Sequence, residues 1–119
     1  MRKHFGIALI LLLAATASGA AESGGALTGT YELGGTTLVD PPPGEDARSH
    51  YRVFLTGAAA KDLYDAMRVA AEDDACLGDG SQVKHSGGIA CTRLAESDSY
   101  ECSFAVGVDG RSVEGATAC

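Results

Sequence analysis

The sequence predicts an α+β fold: a two-layer sandwich with one helix packed on a small, mainly antiparallel sheet, stapled by two disulfides. Three observations predict it. Residues 51–56 are rich in β-branched and aromatic types. Residues 58–75 are rich in Ala, with apolar positions at helical spacing. Three further short runs, 89–94, 100–108 and 113–119, are separated by turn residues. The order strand, helix, three-strand meander gives the sheet one face for the helix and one for solvent. A chain of 119 residues fits a single small domain.

The chain opens as an address. Arg2, Lys3 and His4 precede an uncharged run from Phe5 to Ala15, and Ser18, Gly19 and Ala20 are small residues at its exit. This is the layout of a secretory signal peptide over residues 1–20, cleaved after Ala20. Its apolar run is short for a bilayer span, so no membrane span is expected after cleavage. Residues 21–49 read as a Gly/Pro-rich flexible leader, punctuated by Gly24-Gly25, Gly34-Gly35 and Pro41-Pro42-Pro43, with a short hairpin of Tyr31–Leu33 and Thr36–Val39 over Gly34-Gly35 as the lesser reading. The folded unit is expected over residues 50–119.

In the first strand Tyr51, Val53 and Leu55 share a face. Gly57 ends it, and Thr56 or Gly57 caps the helix that follows. Ala59, Leu63, Ala66, Met67 and Ala70 form the expected apolar stripe. Lys61 with Asp65, and Arg68 with Glu72, are opposite charges four residues apart on the other side. Gly78 and Gly80 stop the helix. Because the stripe is built of small side chains, the sheet must supply bulk from residues such as Val53, Leu55, Ile89 and Phe104. Along 100–108, Tyr100, Cys102, Phe104, Val106 and Val108 fall on one face, and Glu101, Ser103, Ala105 and Gly107 on a more polar one.

Four cysteines, Cys76, Cys91, Cys102 and Cys119, read as a disulfide framework in an exported chain. A core this poor in large apolar groups needs covalent staples. A four-residue hairpin loop results whether Cys91 faces Cys102 or Cys102 faces Cys119. Sequential pairing, Cys76 with Cys91 and Cys102 with Cys119, is favoured. The alternative joins Cys91 to Cys102 and Cys76 to Cys119.

Nine Lys and Arg against 16 Asp and Glu give a net charge of −7, and loss of Arg2 and Lys3 with the signal takes it to −9. The remaining basic residues stand singly, so the surface repels phosphate backbones and nucleic acid is not a partner. Zinc on Cys76, His85, Cys91 and Cys102 lacks the usual knuckle spacing. Glu72, Asp73, Asp74 and Asp79 are the densest acids, but calcium needs converging oxygens and these fan around a helix end. His85 is followed by Ser86, and neighbours on an extended chain point apart; no nucleophile elbow accompanies them. No catalytic, cofactor-binding or metal residue is therefore assigned, and no cofactor.

Elimination leaves a small soluble exported protein, periplasmic or secreted, that acts as a non-catalytic binding or interaction module. Its expected contacts are the loops 79–88 and 95–99 and the aromatics Tyr51 or Tyr100. An alternative is an inhibitor of a basic extracellular enzyme, a lysozyme or protease, to which negative charge would steer it. A small hydrolase using His85 is the lesser alternative.

Overall fold

The computed structural model describes residues 24–35, 43, 44 and 46–117. The expected signal peptide and Cys119 lie outside the described residues. The elements follow as β1 Thr28–Gly34, β2 His50–Thr56, α1 Gly57–Ala66, β3 Glu72–Asp73, β4 Gln82–Ser86, β5 Ile89–Arg93, β6 Tyr100–Gly107 and β7 Val113–Glu114. All strands join one antiparallel sheet in the spatial order β1-β2-β6-β5-β4-β3, and β7 pairs the far end of β6. The architecture is the expected α+β one, with a helix on an antiparallel sheet.

The path explains the layout. β2 ends at Thr56, and Gly57, with a φ of +65°, turns the chain out of the sheet. α1 then crosses one face, and the chain re-enters as β3 at the far edge. The meander β3 to β6 returns until β6 pairs β2, with Val53 opposite Phe104 and Leu55 opposite Cys102. Opposed residues share a face, so Leu55, Cys91 and Cys102 lie together beneath α1.

The helix is shorter than its composition predicts. It ends at Ala66, and Met67 is already extended with ψ 116°. The cause is tertiary. Lys84 of β4 reaches under the last turn, donating from Nζ to the carbonyls of Tyr64 (3.0 Å) and Met67 (3.1 Å). A cation on otherwise unpartnered carbonyls both caps the helix and complements its dipole. Continuing the helix would bring Glu72, Asp73 and Asp74 to its negative end; instead Glu72 and Asp73 pair with β4. Lys61 and Asp65 form their ion pair, but the pairing of Arg68 with Glu72 loses its helical frame. The buried stripe is also shifted by one position. Ala60, Tyr64 and Met67 are buried, and Leu63 is partly so.

This core is small. Ala60 lets α1 approach closely: the Cys102 sulfur, which carries no proton, lies 3.3 Å from the Ala60 carbonyl oxygen. Tyr64 stands edge-on to Tyr100 with ring centroids 5.2 Å apart. Burying Tyr64 and Met67 stabilises by roughly 2 kcal/mol each. Loop 94–99 closes the β5–β6 hairpin through Leu94 N–H to Ser99 O, 2.9 Å, around the expected four-residue turn. Fully buried Ser81 ties that loop down, its hydroxyl accepting from Ala95 N–H at 3.0 Å.

The favoured disulfide scheme is corrected. Cys91 and Cys102 are bonded to each other, directly opposite in the β5–β6 register with Cα atoms 4.0 Å apart. Neither can then join Cys76 or Cys119. Cys76 sits in the turn after β3.

Three further readings change. Residues 28–34, read as flexible leader, form β1, paired with β2 over all seven residues from Thr28↔Thr56 to Gly34↔His50. Arg52 of β2 holds that strand, donating to Glu32 Oε1 and to the Gly35 carbonyl, each at 3.0 Å. Half of the loop read over 79–88 is β4. The last expected strand, 113–119, shrinks to Val113–Glu114, with residues 118 and 119 outside those described.

Candidate functional site

Strand alternation divides the sheet. One face lies under α1. The other carries Phe54 and Thr56 of β2, Glu101 and Ser103 of β6, Ala90 and Thr92 of β5, Val83 and His85 of β4, and Glu72 of β3. Among these, Ala90 and Ser103 are small and sit opposite one another, so the face is hollow at its centre. Phe54 and Val83 form taller apolar walls on either side.

A turn roofs part of the hollow. Asp74 builds it: one carboxylate oxygen accepts from the backbone N–H of Cys76 (3.0 Å) and of Leu77 (3.2 Å). The other accepts from the Thr92 hydroxyl of β5 at 3.2 Å, which fixes the turn to the sheet. Gly78 N–H closes it onto the Asp74 carbonyl at 2.9 Å. The result is a groove of about 680 Å³ between the sheet and this turn, with Thr117 at its border. That volume is within the range of sites that take small molecules or single side chains of a partner.

Its electrostatics are one-sided. Glu72, Asp73, Asp74 and Glu101 line it, His85 is its one imidazole, and no Lys or Arg is among its lining residues. Asp74 is committed to the turn, and Asp73 accepts from the Gln82 amide. Glu72 and Glu101 lie in one cross-strand row, Glu72–Val83–Thr92–Glu101, with a carboxylate at each end. Three strand spacings of about 4.8 Å separate their backbones by roughly 14 Å. Two charges beside apolar walls suit a cationic group that also carries apolar carbon.

The residues singled out from the sequence fall differently. His85 lines the groove, and Ser86 occupies the opposite face, so the two do not meet. Cys91 and Cys102 are consumed by their bond, which removes both from zinc ligation. The acids of the 72–79 cluster diverge: beside the roles already given, Asp79 accepts from Ser81 N–H at 2.9 Å. Ser81 holds the Asp79 carboxyl below its ordinary value through its hydroxyl and its N–H. Among the described residues no group of three or more His, Cys, Asp or Glu could hold a metal. Tyr100 is committed to the core beside Tyr64, with the Lys61 ammonium 5.4 Å over its ring. Tyr51 is exposed on the helix side and stacks on Tyr31 with centroids 5.0 Å apart.

Ser49, His50 and Glu114 stand in the order of a hydrolase relay. His50 Nδ1 is 2.8 Å from the Ser49 hydroxyl and Nε2 is 3.4 Å from Glu114. His50 is only 7% exposed and lies outside the groove, so the trio locks β7 to β2 rather than facing a substrate. Sequence reasoning missed Phe54, Val83 and Glu101 as groove residues. The signal for Glu101 was present in the polar alternation of β6, but a groove requires knowing which strands flank it. No helix among the described residues is long and apolar enough to cross a membrane. No protein-family model, curated protein or solved structure matches the chain.

Proposed function

We propose that this protein is an exported, non-catalytic binding module whose groove takes a basic, partly apolar segment of an extracellular protein. In its specific form the partner is a basic enzyme, a lysozyme or a protease, which the module inhibits. The observation that carries this reading is the groove itself: a hollow between the apolar walls of Phe54 and Val83, with carboxylates and no Lys or Arg among its lining residues. A Lys or Arg side chain laid along Phe54 and Val83 would bury its methylene stem and present its cation to Glu101 or Glu72. The excess of acids over bases adds long-range attraction, which raises association rates more than it raises affinity. Export rests on the basic and apolar start of the sequence, and the Cys91–Cys102 bond suits an oxidising compartment.

The test is calorimetric titration and turnover against a cationic lysozyme and a cationic protease. Saturable binding and loss of turnover are expected with at least one, weakened about tenfold by Glu101→Lys. Unchanged turnover and no heat with either enzyme would overturn the inhibitor reading. Binding that is indifferent to Glu101→Lys would overturn the groove as its site.

A further inference from the structure

The two edges of the sheet differ. At one, β3 has two residues, both acidic. Short length and charge are common protections against adventitious strand pairing. At the other, β1 has seven residues and none of these protections. It contains no Pro and no Lys, and its one charge, Glu32, is neutralised by Arg52 at 3.0 Å. No described strand pairs its outer side. In a protein with 16 acidic side chains, β1 is a locally neutral edge.

The neighbouring surface is apolar. On the helix side of the sheet, beyond the reach of α1, Tyr31 is 67% exposed and Leu33 42%, and Tyr51 stacks on Tyr31. Exposed aromatic and aliphatic groups grouped at an unprotected edge mark an interaction surface.

We propose that β1 pairs antiparallel with β1 of a second copy of this chain, forming a two-fold dimer with a continuous sheet. Three observations select a second copy as the occupant. Acid repulsion between copies is absent along the strand, because its charge is already paired. The opposite edge offers only two residues at β3, so β1 cannot join it to build an open, head-to-tail array; the matching long edge is β1 itself, and that contact closes at two. The sequence of β1 also suits a two-fold axis through Tyr31. Tyr31 then faces its copy, Thr30 faces Glu32, and Leu33 faces Gly29. Gly29 carries no side chain because a Cβ there would lie 2.0 Å from the Phe54 carbonyl oxygen, and its bare position leaves room for Leu33 of the other copy. A seven-residue ladder spans only about 23 Å, so the contact is small and the dimer is of the weak, reversible class.

The experiment is sedimentation velocity of the oxidised protein from 1 to 500 µM in physiological salt, with amide exchange at the two extremes. The expected result is a mass rising towards twice the monomer, with exchange slowing in residues 28–34 and not in β3. Tyr31→Lys would set two ammonium groups against each other at the axis. It should weaken self-association at least tenfold while the far-ultraviolet spectrum stays unchanged. Thr30→Lys, one residue off the axis and on the other face, should weaken it less. A monomer at every concentration overturns the proposal, as does a dimer untouched by Tyr31→Lys. Protection of β1 only on adding an unrelated extended peptide would also overturn it, in favour of a foreign strand.

Discussion

Replacing Lys84 by Met tests why the helix ends where it does. The substitution keeps an unbranched stem of similar length and removes the ammonium. Two hydrogen bonds vanish, to the Tyr64 carbonyl at 3.0 Å and the Met67 carbonyl at 3.1 Å, together with a cation 4.4 Å above the Tyr64 ring. A charged donor contributes about 1.5–3 kcal/mol net per hydrogen bond. Here one half-buried ammonium is shared between two carbonyls, so the lower end applies to the pair. Dipole and ring interactions add a few tenths of a kcal/mol each at such a site. The expected cost is about 2 kcal/mol, or roughly 10 °C in the melting temperature of a domain this small. Urea unfolding followed by circular dichroism measures it. Lys61→Met is the control: Lys61 also stands over a tyrosine and also has a partner, Asp65, but caps nothing, and its loss should leave the midpoint unchanged. If Lys84→Met and Lys61→Met behave alike, the capping explanation is refuted.

Replacing Cys91 and Cys102 together by Ala opens a loop with a sequence separation of 11. The chain-entropy relation gives a loss of about 3 kcal/mol for such a loop, read as a lower urea midpoint. Peptide mapping of the unsubstituted, oxidised protein should show Cys91 joined to Cys102, and a fragment joining Cys76 to Cys91 would refute the register of β5 with β6. Asp79 should titrate below its ordinary value of 3.8, because Ser81 donates to the ionised form. A carboxyl depressed on folding contributes stability that is fully present above its unfolded pKa and fades as the pH falls through its folded one. Stability should therefore decline in acid below about pH 4, and Ser81→Ala should raise the Asp79 titration midpoint in a carboxyl-detected NMR titration.

Local signals carried the elements that depend on local chemistry. The alternation of 51–56 and 100–107, the glycine at 57 and the turn 95–98 were all legible, and with them the placing of a helix over a meander. Contacts between distant residues decided the rest. Nothing in residues 67–75 announces that a lysine at position 84 will cap the helix, and Ala-rich composition alone would carry it further. β1 was misread because Thr28-Gly29-Thr30-Tyr31 is too sparse in apolar residues to anchor itself; its place comes from Arg52, buried at 8% exposure and gripping Glu32 and Gly35. Residues 82–86 lack clean alternation because Lys84 points inward to the helix. The groove was invisible for a related reason. Its floor combines small residues from β5 and β6 with walls from β2 and β4, and no single stretch contains it.

The sulfur bridge has a consequence for the order of events during maturation. Its halves sit on neighbouring strands joined by one short loop, whereas the pairing of β2 with β6 must bring together residues some fifty positions apart. Closing the short loop is the easier encounter, so the bridge can form on a nascent hairpin while both thiols are still open to an oxidant. Once the helix docks, the two sites are 0% and 2% exposed. A reductant then finds nothing to attack until the molecule opens, so the cross-link lasts as long as the fold that covers it.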